Sequence, residues 1–92
     1  MSDRGIPPSI ISPLANTTYI LREGESRHNQ LVLLASADQD SGELFWFANA
    51  QFLGRAKPDE RFIWQPVPGL WDLTVADSQG RSAGMQVNVV SQ

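Results

Sequence analysis

Apolar residues stand at every second position in several short runs of this chain, and turn-forming residues separate the runs at roughly ten-residue intervals. Alternation with a period of two is typical of a β-strand that buries one face. We therefore predict strands at 9–12, 18–21, 30–36, 43–48, 61–65, 70–77 and 81–90, with a brief return of the chain at 52–53. No stretch carries the period of an amphipathic helix without a Gly or Pro nearby.

About seven short strands without a helix are typical of an all-β protein, and we predict an immunoglobulin-like antiparallel β-sandwich. The alternation is clearest in 70–77, where Asp72 and Thr74 should face outward. The positions that should face inward along the predicted strands form the candidate core. They include Leu33, Trp46, Trp64, Trp71, Leu73 and Val75.

Two short segments carry turn chemistry between predicted strands. Asn49 tolerates the left-handed backbone that a tight hairpin requires, so residues 48–50 should turn the chain. The segment Asp77-Ser-Gln-Gly80 has Asp at its first position and Gly at its fourth, which is the pattern of a type I turn. Both turns should join antiparallel neighbours.

The segment "LFWF" has apolar side chains on both of its faces. If Trp46 faces the core, Phe45 and Phe47 must face away from it. In the same way, Val32 and Leu34 alternate with the inward positions of 30–36. If the sandwich pairs these strands, the four side chains form one apolar patch, and exposed patches of this kind usually mark an interaction site. The alternative is that a loop of the same domain, or the 52–53 segment, covers them.

Length, charge and composition bound the possible functions. With 92 residues the chain makes one domain, and we expect residues 1–8 to be a leader or linker before a single sandwich domain at 9–92. The net charge is −3 with scattered Lys and Arg, which argues against nucleic-acid binding. No cysteine is present, and no apolar run approaches the ~20 residues that span a bilayer. The first residues lack the apolar region of a signal peptide, so the chain is either cytosolic or a segment whose targeting signal lay upstream.

Catalytic and metal-binding residues are scarce. His28 is the only histidine and lies in a polar loop, so we predict no catalytic site. The loop with Asp38 and Asp40 is too short for a calcium site, and Glu23 and Glu25 are expected to be solvated loop charges. We predict no cofactor and no metal. The tryptophans could stack on sugars, but their inward positions favour the core.

The order and spacing of these landmarks, from 10 to 90, resemble the C-terminal domain of bifunctional penicillin-binding proteins of the 1C type. The landmarks are Pro13 after an Ile pair, a strand ending in Ala35, Trp46 within "LFWF", Leu53-Gly54, Trp64, Gly69, then Trp71, Leu73 and Val75 up to Asp77-Ser-Gln-Gly80. No transpeptidase Ser-x-x-Lys motif and no membrane anchor lie within these residues.

The resemblance implies a non-catalytic, periplasmic accessory domain of an inner-membrane-anchored peptidoglycan synthase, following its glycosyltransferase and transpeptidase domains. Its partner would be that transpeptidase domain or a separate periplasmic protein, reached through Val32, Leu34, Phe45 and Phe47. One alternative is a module that binds peptidoglycan and anchors the synthase to the wall. A spacer and an enzyme in its own right are further alternatives. None of these requires nucleic acid or direct membrane insertion.

Overall fold

The structure, a computed structural model, describes residues 7–22, 30–37 and 42–91. In these residues the chain forms eight β-strands and no helix, which confirms the all-β prediction. The brief return predicted at 52–53 is a full strand, because the Asn49 turn starts an antiparallel neighbour that continues to Ala56. The strands are β1 Ser9–Ser12, β2 Thr18–Leu21, β3 Leu31–Ser36, β4 Leu44–Ala48, β5 Gln51–Ala56, β6 Phe62–Trp64, β7 Gly69–Ala76 and β8 Ser82–Ser91.

Several residues that were considered above as sites, loop charges or leader lie outside the described ranges. They are His28, the carboxylates of Glu23 and Glu25, the Asp38 and Asp40 pair, and the first six residues of the expected leader.

The strands form two sheets that pack face to face. One has the order β1-β3-β6, and the other has the order β2-β8-β7-β4-β5. The chain changes sheet between β1 and β2, around the cis peptide bond that joins Ser12 to Pro13. The β2–β8 pairing is parallel, from Thr18 opposite Asn88 to Leu21 opposite Ser91, and the remaining strand pairs are antiparallel.

The hairpin between β4 and β5 turns at Asn49 and Ala50, as predicted. Both have positive φ, 50° and 68°, which is the backbone that a two-residue hairpin loop requires. The Asn49 side chain also ties the turn to β7: its Oδ1 accepts from the Asp72 N–H at 2.8 Å, and its Nδ2 donates to the Leu70 carbonyl at 3.4 Å. This turn sets Phe47 opposite Phe52, and a register shift between Trp46 and Phe47 then places Trp46 opposite Gly54.

The core lies between the sheets and is built from the inward positions of both. Trp46, Leu33, Leu73 and Val75 are less than 1% exposed, and Trp64 is 8% exposed. Trp71 is only partly buried, because β4 ends opposite Leu73 and no β4 residue stands beside Trp71. Its ring packs edge-on against Trp64 at 5.2 Å between centroids, and its Nε1 donates to the Val67 carbonyl at 2.8 Å.

Gly54 brings the two sheets together on one side of the sandwich. The Phe62 ring of β6 lies over this glycine of β5, so that a Cβ added there would come within 2.6 Å of Phe62 Cε2. A strand glycine often marks such a close approach. Because β5 and β6 belong to different sheets, this contact closes the edge of the core.

The β7–β8 turn is organised by Asp77. The Gly80 N–H donates to the Asp77 carbonyl at 3.2 Å, as expected for a turn over 77–80. The buried Asp77 carboxylate accepts from the Gln79 N–H at 2.9 Å, the Arg81 N–H at 2.8 Å and Arg81 Nε at 2.7 Å. Burial opposes ionisation of this carboxyl, but the hydrogen bonds and charge of Arg81 and the Gln79 N–H outweigh it and lower the pKa of Asp77.

Candidate functional site

The three-stranded sheet carries apolar side chains on its outer side. In β3, residues 31, 33 and 35 are buried, so Val32 and Leu34 point outward and are partly buried. Val32 stands opposite Ile63 of β6, which is 50% exposed. We call Val32, Leu34 and Ile63 the aliphatic face. An outer sheet face in contact with water normally carries polar side chains, so this face departs from the pattern of a solvated sandwich.

The five-stranded sheet carries an aromatic cluster on its own outer side. Phe47 and Phe52 are opposite each other across β4 and β5, with ring centroids 5.6 Å apart. Phe45 lies 6.5 Å from the same Phe52 ring. Phe52 is 56% exposed, whereas Phe45 and Phe47 are partly buried. We call Phe45, Phe47 and Phe52 the aromatic face.

The prediction that Val32, Leu34, Phe45 and Phe47 form one patch is wrong. The first two belong to β3 in the three-stranded sheet, and the last two belong to β4 in the five-stranded sheet. Each pair does point away from the core, so the pairs lie on opposite outer faces of the sandwich. Alternation indicates which side of its own sheet a residue occupies, but it does not indicate which sheet the strand joins.

The alternative was that segment 52–53 covers the phenylalanines, and it is correct for Phe52. Phe52 packs against both Phe45 and Phe47 and shields them, and in doing so it becomes the most exposed ring of the three. Sequence reasoning missed this residue although its signal was present. A two-residue turn at 49–50 places residue 52 opposite residue 47.

Ile63 was also missed by sequence reasoning. Its position follows from alternation, since Trp64 points inward and its neighbour in β6 must therefore point outward. The structure places it directly beside Val32.

The surroundings of the aromatic face combine small residues with one ion pair. Thr74 stands opposite Phe47 and Ala76 stands opposite Phe45, so β7 adds little bulk next to the rings. On the other side, Arg55 stands opposite Phe45 and lies 3.4 Å from the Glu43 carboxylate. Both charged side chains are well exposed, so the pair contributes little to stability and instead gives the face a charged rim.

The described residues offer little for chemistry or for sugar stacking. Within 7–22, 30–37 and 42–91 there is no group of three or more His, Cys, Asp or Glu that could hold a metal ion. None of the three tryptophans is an exposed platform: two are buried, and the third is partly buried with its N–H engaged. In that part of the chain, no helix has the length and apolar character needed to cross a membrane.

Residues 1–89 match the model of the Penicillin-Binding Protein C-terminus Family. The chain belongs to this family. The resemblance inferred from the order of the landmarks is therefore confirmed, and family membership fits a periplasmic domain of a membrane-anchored protein. A comparison with curated protein sequences gave no match.

Two solved structures share the fold. One contains fibronectin(III)-like modules of Clostridium thermocellum CbhA, with 13% identity and a TM-score of 0.69, covering 90% of this chain and 94% of that one. The other is Bacteroides ovatus SGBP-B from a mixed-linkage glucan utilization locus, in complex with a mixed-linkage heptasaccharide. This match has 18% identity and a TM-score of 0.61, and it covers 92% of this chain and 24% of that chain. Likeness at these identities shows the fold alone, and it confirms the immunoglobulin-like sandwich.

Proposed function

We propose that this domain is a non-catalytic accessory module of a bifunctional peptidoglycan synthase in the bacterial periplasm, where it docks on another protein surface. The observation that carries the proposal is the apolar cluster on each outer side of the sandwich, the aliphatic face on one sheet and the aromatic face on the other. Membership of the Penicillin-Binding Protein C-terminus Family supports the cell-wall setting.

The energy available from one face is modest. A phenylalanine buries about 150–250 Å² when it is fully covered, so covering the 56% exposed Phe52 removes roughly 100 Å² from water. At about 25 cal/mol per Å² this contributes roughly 2.5 kcal/mol. Ile63 offers a similar gain on the aliphatic face. Contacts of this size suit a partner held at high local concentration better than a freely diffusing one.

The occupant that fits this reasoning best is the transpeptidase domain of the same synthase. Covalent linkage between neighbouring domains gives an effective concentration of about millimolar, at which a contact of about 4 kcal/mol is half occupied, and covering Phe52 supplies more than half of that. The exposed Arg55 and Glu43 at the rim of the aromatic face would set the register of docking rather than its strength.

An NMR titration of the purified domain with the separately purified transpeptidase domain tests this function, and it is carried to millimolar concentrations because the contact is weak without the covalent linkage. Phe52→Asp disrupts the aromatic face, and Ile63→Asp disrupts the aliphatic face. Val67→Asp is the matched control, because Val67 is 63% exposed and lies outside both faces. We expect one face variant to weaken binding at least tenfold, or about 1.4 kcal/mol, while the control binds like the wild type.

Folding must be followed in the same variants by urea unfolding. Phe47→Asp should also weaken docking while unfolding stays cooperative. Absence of wild-type binding up to millimolar concentrations of the transpeptidase domain, or equal binding by all variants, would contradict the docking function.

Peptidoglycan binding is the alternative function, and a second experiment tests it. Co-sedimentation of the domain with isolated sacculi, abolished by a soluble glycan fragment, would make it a wall-recognition module that anchors the synthase.

A further inference from the structure

Strand β8 is paired on both edges along only part of its length. On the side away from β7, the Asn16 N–H donates to the Gln86 carbonyl, and the Asn88 N–H donates to the Thr17 carbonyl, both at 3.1 Å. From there β2 accompanies β8 to its end. Among the described residues, no strand pairs with this edge of β8 between Ser82 and Met85.

The direction of the unpaired groups follows from the ladder. Backbone groups of successive residues in a strand point to alternate edges. Since Gln86 and Asn88 use the edge that faces β2, the N–H and C=O of Gly84 must point toward the same edge. Gly84 is exposed, and within the described ranges its backbone groups on this edge have no ladder partner.

A groove of about 280 Å³ runs along this open edge. Its floor is formed by Ala83, Gly84 and Met85, and its wall is formed by β1 and the segment that follows it. The wall is apolar: Ile11 is 48% exposed and Leu14 is 67% exposed. The Leu14 N–H donates to the Tyr19 hydroxyl at 3.1 Å, which fixes the end of the wall against β2.

We propose that this groove binds an extended peptide segment of a protein partner, which adds to the sheet as a strand beside the first half of β8. An extended backbone is the occupant that supplies both a donor and an acceptor for Gly84, and alternate side chains of such a peptide would meet Ile11 and Leu14. Recognition of this kind comes mainly from the main chain and tolerates many sequences. The surface is distinct from the aliphatic and aromatic faces, so it goes beyond the proposed function.

Amide hydrogen exchange in the 92-residue chain tests this binding site directly. The probe is a capped seven-residue peptide of alternating valine and threonine between terminal lysines, titrated into the millimolar range. The Gly84 amide should exchange freely in the isolated protein, and at saturation its exchange should slow at least tenfold. The Met85 amide points toward β7 and should be protected with and without peptide, which makes it an internal control.

Two matched comparisons separate main-chain pairing from apolar adhesion. The same peptide with its internal amides N-methylated should neither shift nor protect Gly84. Gly84→Pro removes the outward N–H, whereas Gly84→Ala adds a similar Cβ, 3.3 Å from the Leu73 carbonyl oxygen, and keeps the N–H. We expect only the Pro variant to lose peptide binding at least tenfold.

Several results would overturn the proposal. They are a Gly84 amide already protected in the free protein, no change at Gly84 up to several millimolar peptide, and equal binding of the N-methylated peptide. If Gly84→Pro does not fold, the exchange rate of the Gly84 amide in the wild type, with and without peptide, decides whether the peptide adds as a strand. Phe52→Asp leaves this groove intact, so failure of face docking and failure of peptide addition are distinguishable.

Discussion

Replacement of Asp77 by Ala is the substitution whose effect the structure defines most sharply outside the hydrophobic core. The Asp77 side chain is fully buried and that of Arg81 is 18% exposed, with 2.7 Å between Oδ2 and Nε. The Ala variant removes this carboxylate from the guanidinium and also removes the acceptor of two backbone N–H groups in the turn.

We expect Asp77→Ala to lower the free energy of unfolding by about 3 kcal/mol. This is the lower end of the range for breaking a buried ion pair, because Arg81 retains some contact with water. A domain of this length has a free energy of unfolding of roughly 5–14 kcal/mol. Asp77→Asn keeps one oxygen that can accept from the backbone, so it should cost less than Asp77→Ala. The matched control is Asp72→Asn, an exposed carboxylate on strand β7, which ends just before Asp77, and it should change stability by less than about 0.5 kcal/mol.

Urea unfolding followed by tryptophan fluorescence measures these differences at pH 7 and at lower pH. The folded-state pKa of Asp77 is below its ordinary value of 3.8, so ionisation stabilises the fold fully above that value. This stability is lost as the pH falls from about 3.8 through the folded-state pKa. The difference between wild type and Asp77→Asn should therefore stay constant from pH 7 to 5 and shrink below pH 4.

Two results would refute this reasoning. One is a cost below about 1 kcal/mol for Asp77→Ala at pH 7, which would mean that the turn reorganises around other partners. The other is a difference between wild type and Asp77→Asn that does not change on acidification, which would mean that packing rather than charge is responsible.

Three further substitutions test the core, the sheet contact and the hairpin, each by urea unfolding. Trp46→Ala empties the centre of the core and should cost about 3–5 kcal/mol; a cost near zero would place this residue outside the core. Gly54→Ala puts a Cβ 2.6 Å from the Phe62 ring and should cost about 1–3 kcal/mol, and Phe62→Leu in the same chain should recover part of it. An unchanged cost in the double variant would contradict this contact. Asn49→Gly keeps the positive φ and loses the side-chain hydrogen bonds to β7, so it should cost about 1 kcal/mol, and Asn49→Ala should cost more. Equal costs would mean that the positive φ carries no penalty.

Local chemistry in the sequence was enough to identify seven of the eight strands, two of the turns and the centre of the core. Trp46 and Leu73 were placed inward by alternation alone, and both are fully buried. Asn49 was expected to turn the chain, and its positive φ shows that it does. These features are predictable because strand period and turn chemistry depend on residues close together in the chain.

The position of Trp71 shows where alternation becomes insufficient. It points inward like Leu73, but it is only partly buried because the neighbouring strand β4 ends opposite Leu73 and does not reach Trp71. Burial along a strand depends on where its neighbouring strands end, and those strands come from distant parts of the chain.

The tertiary structure alone decided what the surfaces of this protein can do. Alternation placed Phe47 and Val32 outward, but the pairing of β3 with β6 and of β4 with β7 put them on opposite faces. The open edge at Gly84 exists because β2 covers only the second half of β8. Both features depend on which strands pair across long separations in sequence, and a period of two carries no information about that choice.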